Sequence, residues 1–233
     1  MMNLHSIYQN FISHEQKLND FLTHEFSKTP ALPYLSCDLR HSGFKVAVVD
    51  TNLFPAGFNN LCKVFTEQTV EEFKHYFKTQ HPLCTKLLIF TEAHTRNKFY
   101  FENIYRLQEM LNQAGLDVKI ATQFEEFTED QSIVLENDKT LILHAIPQNT
   151  SLQLCDSWIP DLILSNNDFS SGIPEILQST SIPIIPSPLL GWHRRKKSDH
   201  FKIYSEIATE IGDLIELDPW LFNSYHSQVD EID

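Results

Sequence analysis

The chain has 233 residues, with 31 acidic side chains against 18 Lys and Arg and a formal net charge of −13. That balance excludes a general attraction to nucleic acid or to an anionic membrane surface. Hydrophobic residues make up 42% and charged residues 21%, a globular composition with enough apolar side chains for a buried core. No apolar run approaches the roughly 20 residues needed to cross a bilayer.

The amino terminus, Met1-Met2-Asn3-Leu4-His5-Ser6, has no basic stretch followed by an apolar one. No secretion signal is expected, and the protein is expected in the cytoplasm. Cys37, Cys62, Cys84 and Cys155 form no CxxC pair. Their even number permits disulfides, but reduced thiols are the better reading without a secretion signal.

In chain order, Leu4, Ile7, Tyr8, Phe11, Ile12, Leu18, Leu22 and Phe26 recur at three- and four-residue spacing, which predicts one amphipathic helix ending before Pro30. Lys45–Val49 reads as a strand, Val70–Phe77 as a helix and Lys86–Phe90 as a strand. A helix follows from about Lys98 to Ala114, with Gly115 as its C-cap. Val118–Ala121 and Leu141–Leu143 are further strand candidates. Then come a strand at Asp161–Leu164, a short helix at Ile173–Leu177, a Pro-flanked strand at Ile182–Ile185, and a last helix at Phe201–Ile215 capped by Ser198 or Asp199. Strands alternating with helices predict an α/β fold: a mostly parallel, doubly wound sheet flanked by helices and preceded by an N-terminal helix.

Ligands of open α/β sheets bind beyond the carboxyl ends of the strands, and four expected strand ends are crowded with polar groups. After Lys45–Val49 come Asp50, Asn52, Asn59 and Asn60; after Lys86–Phe90 come His94, Arg96 and Asn97. After Asp161–Leu164 come Asn167 and Asp168, and after Ile182–Ile185 comes Trp192-His193-Arg194-Arg195-Lys196-Lys197. Singly, each has a plain explanation: Asx turns for Asp50, Asn52 and Asn167, a cap for Asn97, a solvated loop for the basic run. Their convergence on one edge favours a site for a small anionic ligand. Cations just before a helix N-terminus oppose its dipole, which makes sense if an anion lies between them and the free N–H groups.

Other chemistries fare worse. The eleven histidines show no metal-ligand spacing, so no metal site is expected. There is no GxSxG elbow, and no catalytic nucleophile can be named. The six glycines are isolated, with neither GxGxxG nor a P-loop, which also weighs against a nucleotide-sugar enzyme on a similar sheet.

Cys37-Asp38-Leu39-Arg40-His41-Ser42-Gly43-Phe44-Lys45 and Asp50-Thr51-Asn52-Leu53-Phe54-Pro55-Ala56-Gly57-Phe58-Asn59-Asn60-Leu61 resemble a proteobacterial family of glutamate–cysteine ligases, which make γ-glutamylcysteine in glutathione biosynthesis. His94-Thr95-Arg96-Asn97, Asn166-Asn167-Asp168, Ser171-Gly172-Ile173-Pro174-Glu175, Gly191-Trp192-His193 with Arg195-Lys196, and Asp218-Pro219-Trp220 are similar to further blocks. Members of that family continue into an ATP-grasp-like region with a glycine-rich loop, a nucleotide-binding lysine and magnesium-binding acids. Nothing in this sequence resembles that region. The resemblance therefore implies the front half of a ligase: 1–30 as an N-terminal helix, 31–190 as a substrate-binding, pre-ATP-grasp-like domain, and 191–233 as a basic loop, a helix and the start of the ATP-binding half.

The family reaction uses ATP and Mg2+ to activate L-glutamate for attack by L-cysteine. The main elements that bind ATP and Mg2+ are expected to be absent, and the chain alone is expected to be inactive. Of the residues of this front half, Arg40, Arg96, Arg194 and Arg195 suit carboxylate or phosphate, because the planar guanidinium bonds both oxygens. Asp50, Asp168, Asn52, Asn59, Asn60, Asn97, Asn167 and His193 are expected to orient the amino acids. Expected partners are a separate C-terminal half or a second copy, with apolar surface left open at Trp220, Leu221 and Phe222; no nucleic acid or membrane partner is expected. The alternative is a non-catalytic amino-acid-binding or partner-binding module derived from the same family.

Overall fold

The computed structural model of the protein describes residues 3–92, 97–123, 129–136, 138–146, 152–154, 157–170, 172–191, 194 and 196–224. Its contacts divide the chain into two compact units, residues 1–52 with 194–233, and residues 53–193.

The second unit is built on a six-stranded sheet. Its strands are β3 (Lys86–Thr91), β4 (Asp117–Thr122), β5 (Gln131–Val134), β6 (Thr140–Ala145), β7 (Leu162–Asn166) and β8 (Ile184–Ile185), in the spatial order β5-β6-β4-β3-β7-β8. All neighbours are parallel except β5, which pairs antiparallel with β6 at the edge. The expected mostly parallel α/β sheet is what the chain forms. Leu87, Leu88, Ile89 and Phe90 of β3 are buried on both faces, as a central parallel strand requires. Leu88 and Phe90 join Ala121, Ile163, Phe169 and Trp158 in one core cluster. On α4 (Lys98–Gln113), Ile104, Leu107 and Leu111 are buried at helical spacing, and this helix contacts β4 and α3 (Lys63–Gln80). Gly115, at φ +100, follows the end of α4 as expected of a residue that must turn left-handed. A short helix, α5, spans Glu175–Ser179.

The first unit holds α1 (Leu4–Ser13), α2 (Glu15–Phe26), a ribbon of β1 (Ser36–His41) and β2 (Val46–Asn52), and α6 (Lys197–Ile215). Its core gathers Ile7, Leu18, Ala208, Ile215, Leu217 and Phe222. A Cβ on Gly212 would lie 2.7 Å from the Leu217 carbonyl oxygen, so the turn leaving α6 closes only over a glycine.

Several expectations are corrected. The single N-terminal helix is two, because the chain breaks at His14, whose ring and backbone N–H both turn back to the Asn10 carbonyl. The strand expected at Lys45–Val49 exists but lies outside the parallel sheet; it pairs antiparallel with β1, whose residues carry no apolar alternation. Asp50 and Asn52 are therefore strand residues rather than loop residues. Ser198 and Asp199 lie inside α6; the cap position is Lys196, with no side-chain cap. Phe222 is buried, its ring 5.4 Å from Phe11 edge-on, while Trp220 stays 44% exposed, stacked on Phe44 and carrying the Lys45 ammonium 4.3 Å from its ring. The units also divide the chain at other points than 30 and 190, since the ribbon residue Val46 packs on the helical core. Among the described residues no helix is long and apolar enough to cross a membrane.

At the amino ends of β3 and β7, Asp161 ties the two strands together. Its Oδ2 accepts from the Thr85 N–H at 2.9 Å, the Lys86 N–H at 2.9 Å and the Thr85 hydroxyl at 3.0 Å. The Thr85 N–H, then the Lys86 N–H, hold this carboxyl below its ordinary range. A depressed folded-state pKa stabilises the fold at pH above the unfolded value and loses that contribution as pH falls through the folded one. Asp161→Ala is expected to cost about 1 kcal/mol at pH 7, discounted for exposure. The gap between variant and parent should close as pH drops below about 4. Urea melts at pH 7 and pH 3 check it; a gap of equal size at both would contradict the assignment.

Candidate functional site

The order β5-β6-β4-β3-β7-β8 reverses direction at β3. From β3 the chain winds outward through β4 to β6, then returns to place β7 on the other side of β3. In open α/β sheets the carboxyl ends of the strands at such a reversal are where ligands bind. Register places Thr91 opposite Asn166 at this point.

Polar side chains close the strands here. Thr91, Thr122, Ser165 and Asn166 are all buried, and each is satisfied internally. The Thr122 hydroxyl donates to the Thr91 carbonyl at 3.3 Å, the Ser165 hydroxyl to the Asn167 carbonyl at 3.3 Å, and Asn166 Nδ2 to the Pro55 carbonyl at 3.0 Å. Tyr100 of α4 bridges the carboxyl ends of the two strands: its hydroxyl donates to the Asn166 carbonyl at 2.9 Å and accepts from the Glu92 N–H at 3.1 Å. The expected strands stop at Phe90, Ala121 and Leu164, one or two residues short of this belt, because a single polar residue ending an apolar strand looks like the strand's own boundary. Its signal was the recurrence of such endings at Thr91, Thr122 and Ser165-Asn166.

The loop after β7 is rigid. Asn167 Oδ1 accepts from the Phe169 N–H at 2.7 Å, while its Nδ2 donates to the Thr91 carbonyl at 3.3 Å. Asp168 Oδ1 accepts from the Ser170 N–H at 2.9 Å. These are successive Asx turns. Phe169, at φ +55, adopts a conformation costly for a side chain of its size. Its buried ring offsets that cost, 6.3 Å from Phe90 and 6.4 Å from Phe54.

The loop leaving the other unit is also fixed from α4. Asn103 is 1% exposed, and its Oδ1 accepts the N–H groups of Gly57 at 2.7 Å and Phe58 at 2.9 Å. It holds the short 3-10 turn Phe58–Asn60, which presents the exposed Asn59 and Asn60. Asn59 lines a cleft of about 290 Å³ with Glu102, Tyr105, Arg106, Glu109 and Lys139. Three of the charges in that cleft pair with one another, Glu109 accepting from Arg106 at 3.0 Å and from Lys139 at 2.7 Å, while Glu102 accepts from the Glu136 N–H. Burial raises the Glu109 pKa, but the Lys139 and Arg106 hydrogen bonds outweigh it and hold the carboxyl below its ordinary range.

Of the expected site residues, Asn97 caps α4, its Oδ1 accepting from the Phe99 N–H at 3.0 Å. Asn97, Asn167 and Asp168 follow the carboxyl ends of β3 and β7, and the side chains of all three bond backbone groups. Arg40, Asp50, Asn52 and Arg194 belong to the other unit. There Asp50 pairs with Lys197 at 2.9 Å, and His200 Nε2 lies 2.9 Å from the Thr51 hydroxyl. Lys197 at the start of α6 thus has a carboxylate partner, and Asp199 in the first turn suits the dipole. Arg194 and Lys196 are exposed. Arg96, His193 and Arg195 lie outside the described residues.

A histidine–carboxylate pair was not legible in the sequence. His144, ending β6, places Nδ1 2.7 Å from Asp130 Oδ2, while Asp130 Oδ1 accepts from the Ala145 N–H. The two residues stand 14 apart and meet only because β5 folds back on β6. Cys84 is no nucleophile: burial and then the Asp161 carboxylate push its thiol to about 11. Cys37 and Cys62 are free and exposed.

The GshA family of glutamate-cysteine ligases matches residues 8–233. No curated protein matches the chain. Among solved structures, a candidate gamma-glutamylcysteine synthetase from Methylobacillus flagellatus KT is similar at 35% identity and a TM-score of 0.87, over 94% of this chain and 52% of that one. The chain thus spans about half the length of that solved relative.

Replacing Asn103 by leucine leaves two backbone N–H groups without an acceptor, at roughly 2–4 kcal/mol. Asn103→Asp keeps the acceptor and should lose less. Chemical denaturation checks the stabilities and limited proteolysis the 53–60 loop; equal stability of Asn103→Leu and the parent would contradict the role given to Asn103.

Proposed function

The chain belongs to the GshA family of glutamate-cysteine ligases, and from that premise we propose that it carries the amino-acid-binding part of such an enzyme. Its substrates in this reading are L-glutamate and L-cysteine, joined through the γ-carboxylate in glutathione biosynthesis. The observation that carries the proposal is the reversal of strand order at β3, with Asn97, Asn167 and Asp168 following the carboxyl ends of β3 and β7. Such a reversal is where ligands of open parallel sheets bind.

In this role Asp168 meets an amino acid's ammonium group, while Asn167 keeps the loop and the strand ends in register. Asn59 and Asn60 supply amide donors and acceptors from the turn held by Asn103. Arg96 is the cation in this unit for the carboxylate. In the other unit Arg40 and the run Arg194-Arg195 are cations for carboxylate or phosphate, with Asp50 and Asn52 as polar groups of the same unit, and His193 directly precedes that run in sequence.

Ligation of a carboxylate to an amine needs activation, which in the family is expected from ATP and Mg2+. The described residues do not fit that pair. Among them no three His, Cys, Asp or Glu side chains are placed to hold a metal ion. The glycines with positive φ, Gly43, Gly57, Gly115 and Gly172, stand singly rather than in a phosphate-cradling loop. In this reading the chain's part in the reaction is to select and orient the amino acids, excluding water from the carboxylate to be activated. Coverage of only 52% of the solved relative supports a division of labour between two halves. The same coverage supports the second reading, a module that binds an amino acid or a protein partner without catalysis.

The purified chain with ATP, Mg2+, glutamate and cysteine is expected to release no glutamate-dependent phosphate. Fusion to the half of the Methylobacillus flagellatus protein that has no counterpart in it should produce turnover. Glutamate-dependent turnover by the chain alone would overturn the division of labour, and a fused protein that binds glutamate without turnover would favour the non-catalytic reading.

A further inference from the structure

All six residues of β1, Ser36–His41, are exposed, and among the described residues β1 pairs only with β2. A two-stranded ribbon is marginal in water by itself, and an open strand edge is a template for another strand. Proteins usually blunt such edges with a bulge, but here the bulge lies on the partner strand. Asp38 pairs with Asp50 and Leu39 with Val48, so the extra residue is Val49 of β2. β1 itself runs without interruption from Ser36 to His41.

Four large apolar side chains in and beside the ribbon are exposed. Leu35 is 60% exposed, Leu39 61%, Phe44 42% and Val49 38%. Phe44 stacks on the half-exposed Trp220, which extends the apolar surface beyond the ribbon. These residues belong to the unit that also holds the carboxyl-terminal residues of the chain. The solved relative, similar over nearly all of this chain, has about half its length outside the matched part.

We propose that β1 is the docking edge for the second half of a complete ligase, which adds a strand to Ser36–His41 and covers Leu35, Leu39 and Phe44. This rests on the function proposed above. Backbone hydrogen bonds along β1 would supply affinity, and the leucines and Phe44 would supply the apolar anchors. The interface moves away from Leu221 and Phe222, because Phe222 is already buried in its own unit.

The test compares backbone amide exchange of β1 in the chain alone and in the chain fused to the unmatched half of the Methylobacillus flagellatus protein, each at several concentrations. Exchange at Cys37–His41 should slow at least tenfold in the fused protein, independently of concentration. Leu39→Lys should restore fast exchange there while leaving the melting temperature of the unfused chain unchanged. Equally fast exchange in fused and unfused proteins would overturn the proposal. So would protection of β1 in the unfused chain that grows with concentration, because a second copy would then occupy the edge. Ligase turnover of the same fused protein separates the two claims. Turnover with β1 still exchanging freely sinks the docking edge and leaves the function standing; protected β1 without turnover does the reverse.

Discussion

The pairing of β7 against β3 is the constraint on which the second unit depends. Leu87 to Thr91 lie in parallel register with Leu162 to Asn166, although some 75 residues separate the partners along the chain. That return reverses the winding of the sheet and buries β3 on both faces. Asp161 fixes the register at the amino ends with one carboxylate oxygen and three donors. Asn167 does so at the carboxyl ends through the Thr91 carbonyl. A slip of one residue would break both ties and turn every side chain of β7 to the opposite face.

Burying four polar side chains at one end of a sheet is costly unless each finds a partner. Thr122, Ser165 and Asn166 do so through neighbouring carbonyls, and Tyr100 joins the two loops with a single hydroxyl. The consequence for function is rigidity. A rim whose asparagines are already bonded to backbone cannot rearrange freely, so its groups wait for a ligand in fixed positions, and less ordering is lost on binding. Asn97 and Asn167 thereby act as positioning residues, while Asp168 and the exposed amides of Asn59 and Asn60 remain the better candidates for direct contact.

What the sequence made legible followed from local physics. The apolar run ending in Phe90, the helix from Lys98 and the turn glycine Gly115 are each set by burial, spacing or φ within a few residues. The fold class followed from alternation of strands and helices, and the family from the blocks around Asp50–Leu61. What stayed hidden depended on partners far away in the chain. The strand near Val46 was visible, but nothing in its residues said that it pairs with β1 rather than joining the parallel sheet. β1 was invisible because all of its residues are exposed, leaving no apolar rhythm. The Asp130–His144 pair needed the β5–β6 hairpin, and the Lys197–Asp50 pair joins residues far apart in sequence. The plain readings of Asn97 as a cap and Asn167 as a turn describe bonds that the two side chains make, so a site at that edge has to rest on topology rather than on those side chains being spare.

The most direct measurement is a titration of the isotope-labelled chain with L-glutamate, followed through its backbone amide resonances. If the carboxyl ends of β3 and β7 hold the amino acid, shifts will concentrate at Glu92, Asn97, Asn167, Asp168 and Gly172. Shifts confined to Arg40 and Arg194, or none at glutamate concentrations that saturate a complete ligase, would contradict the account.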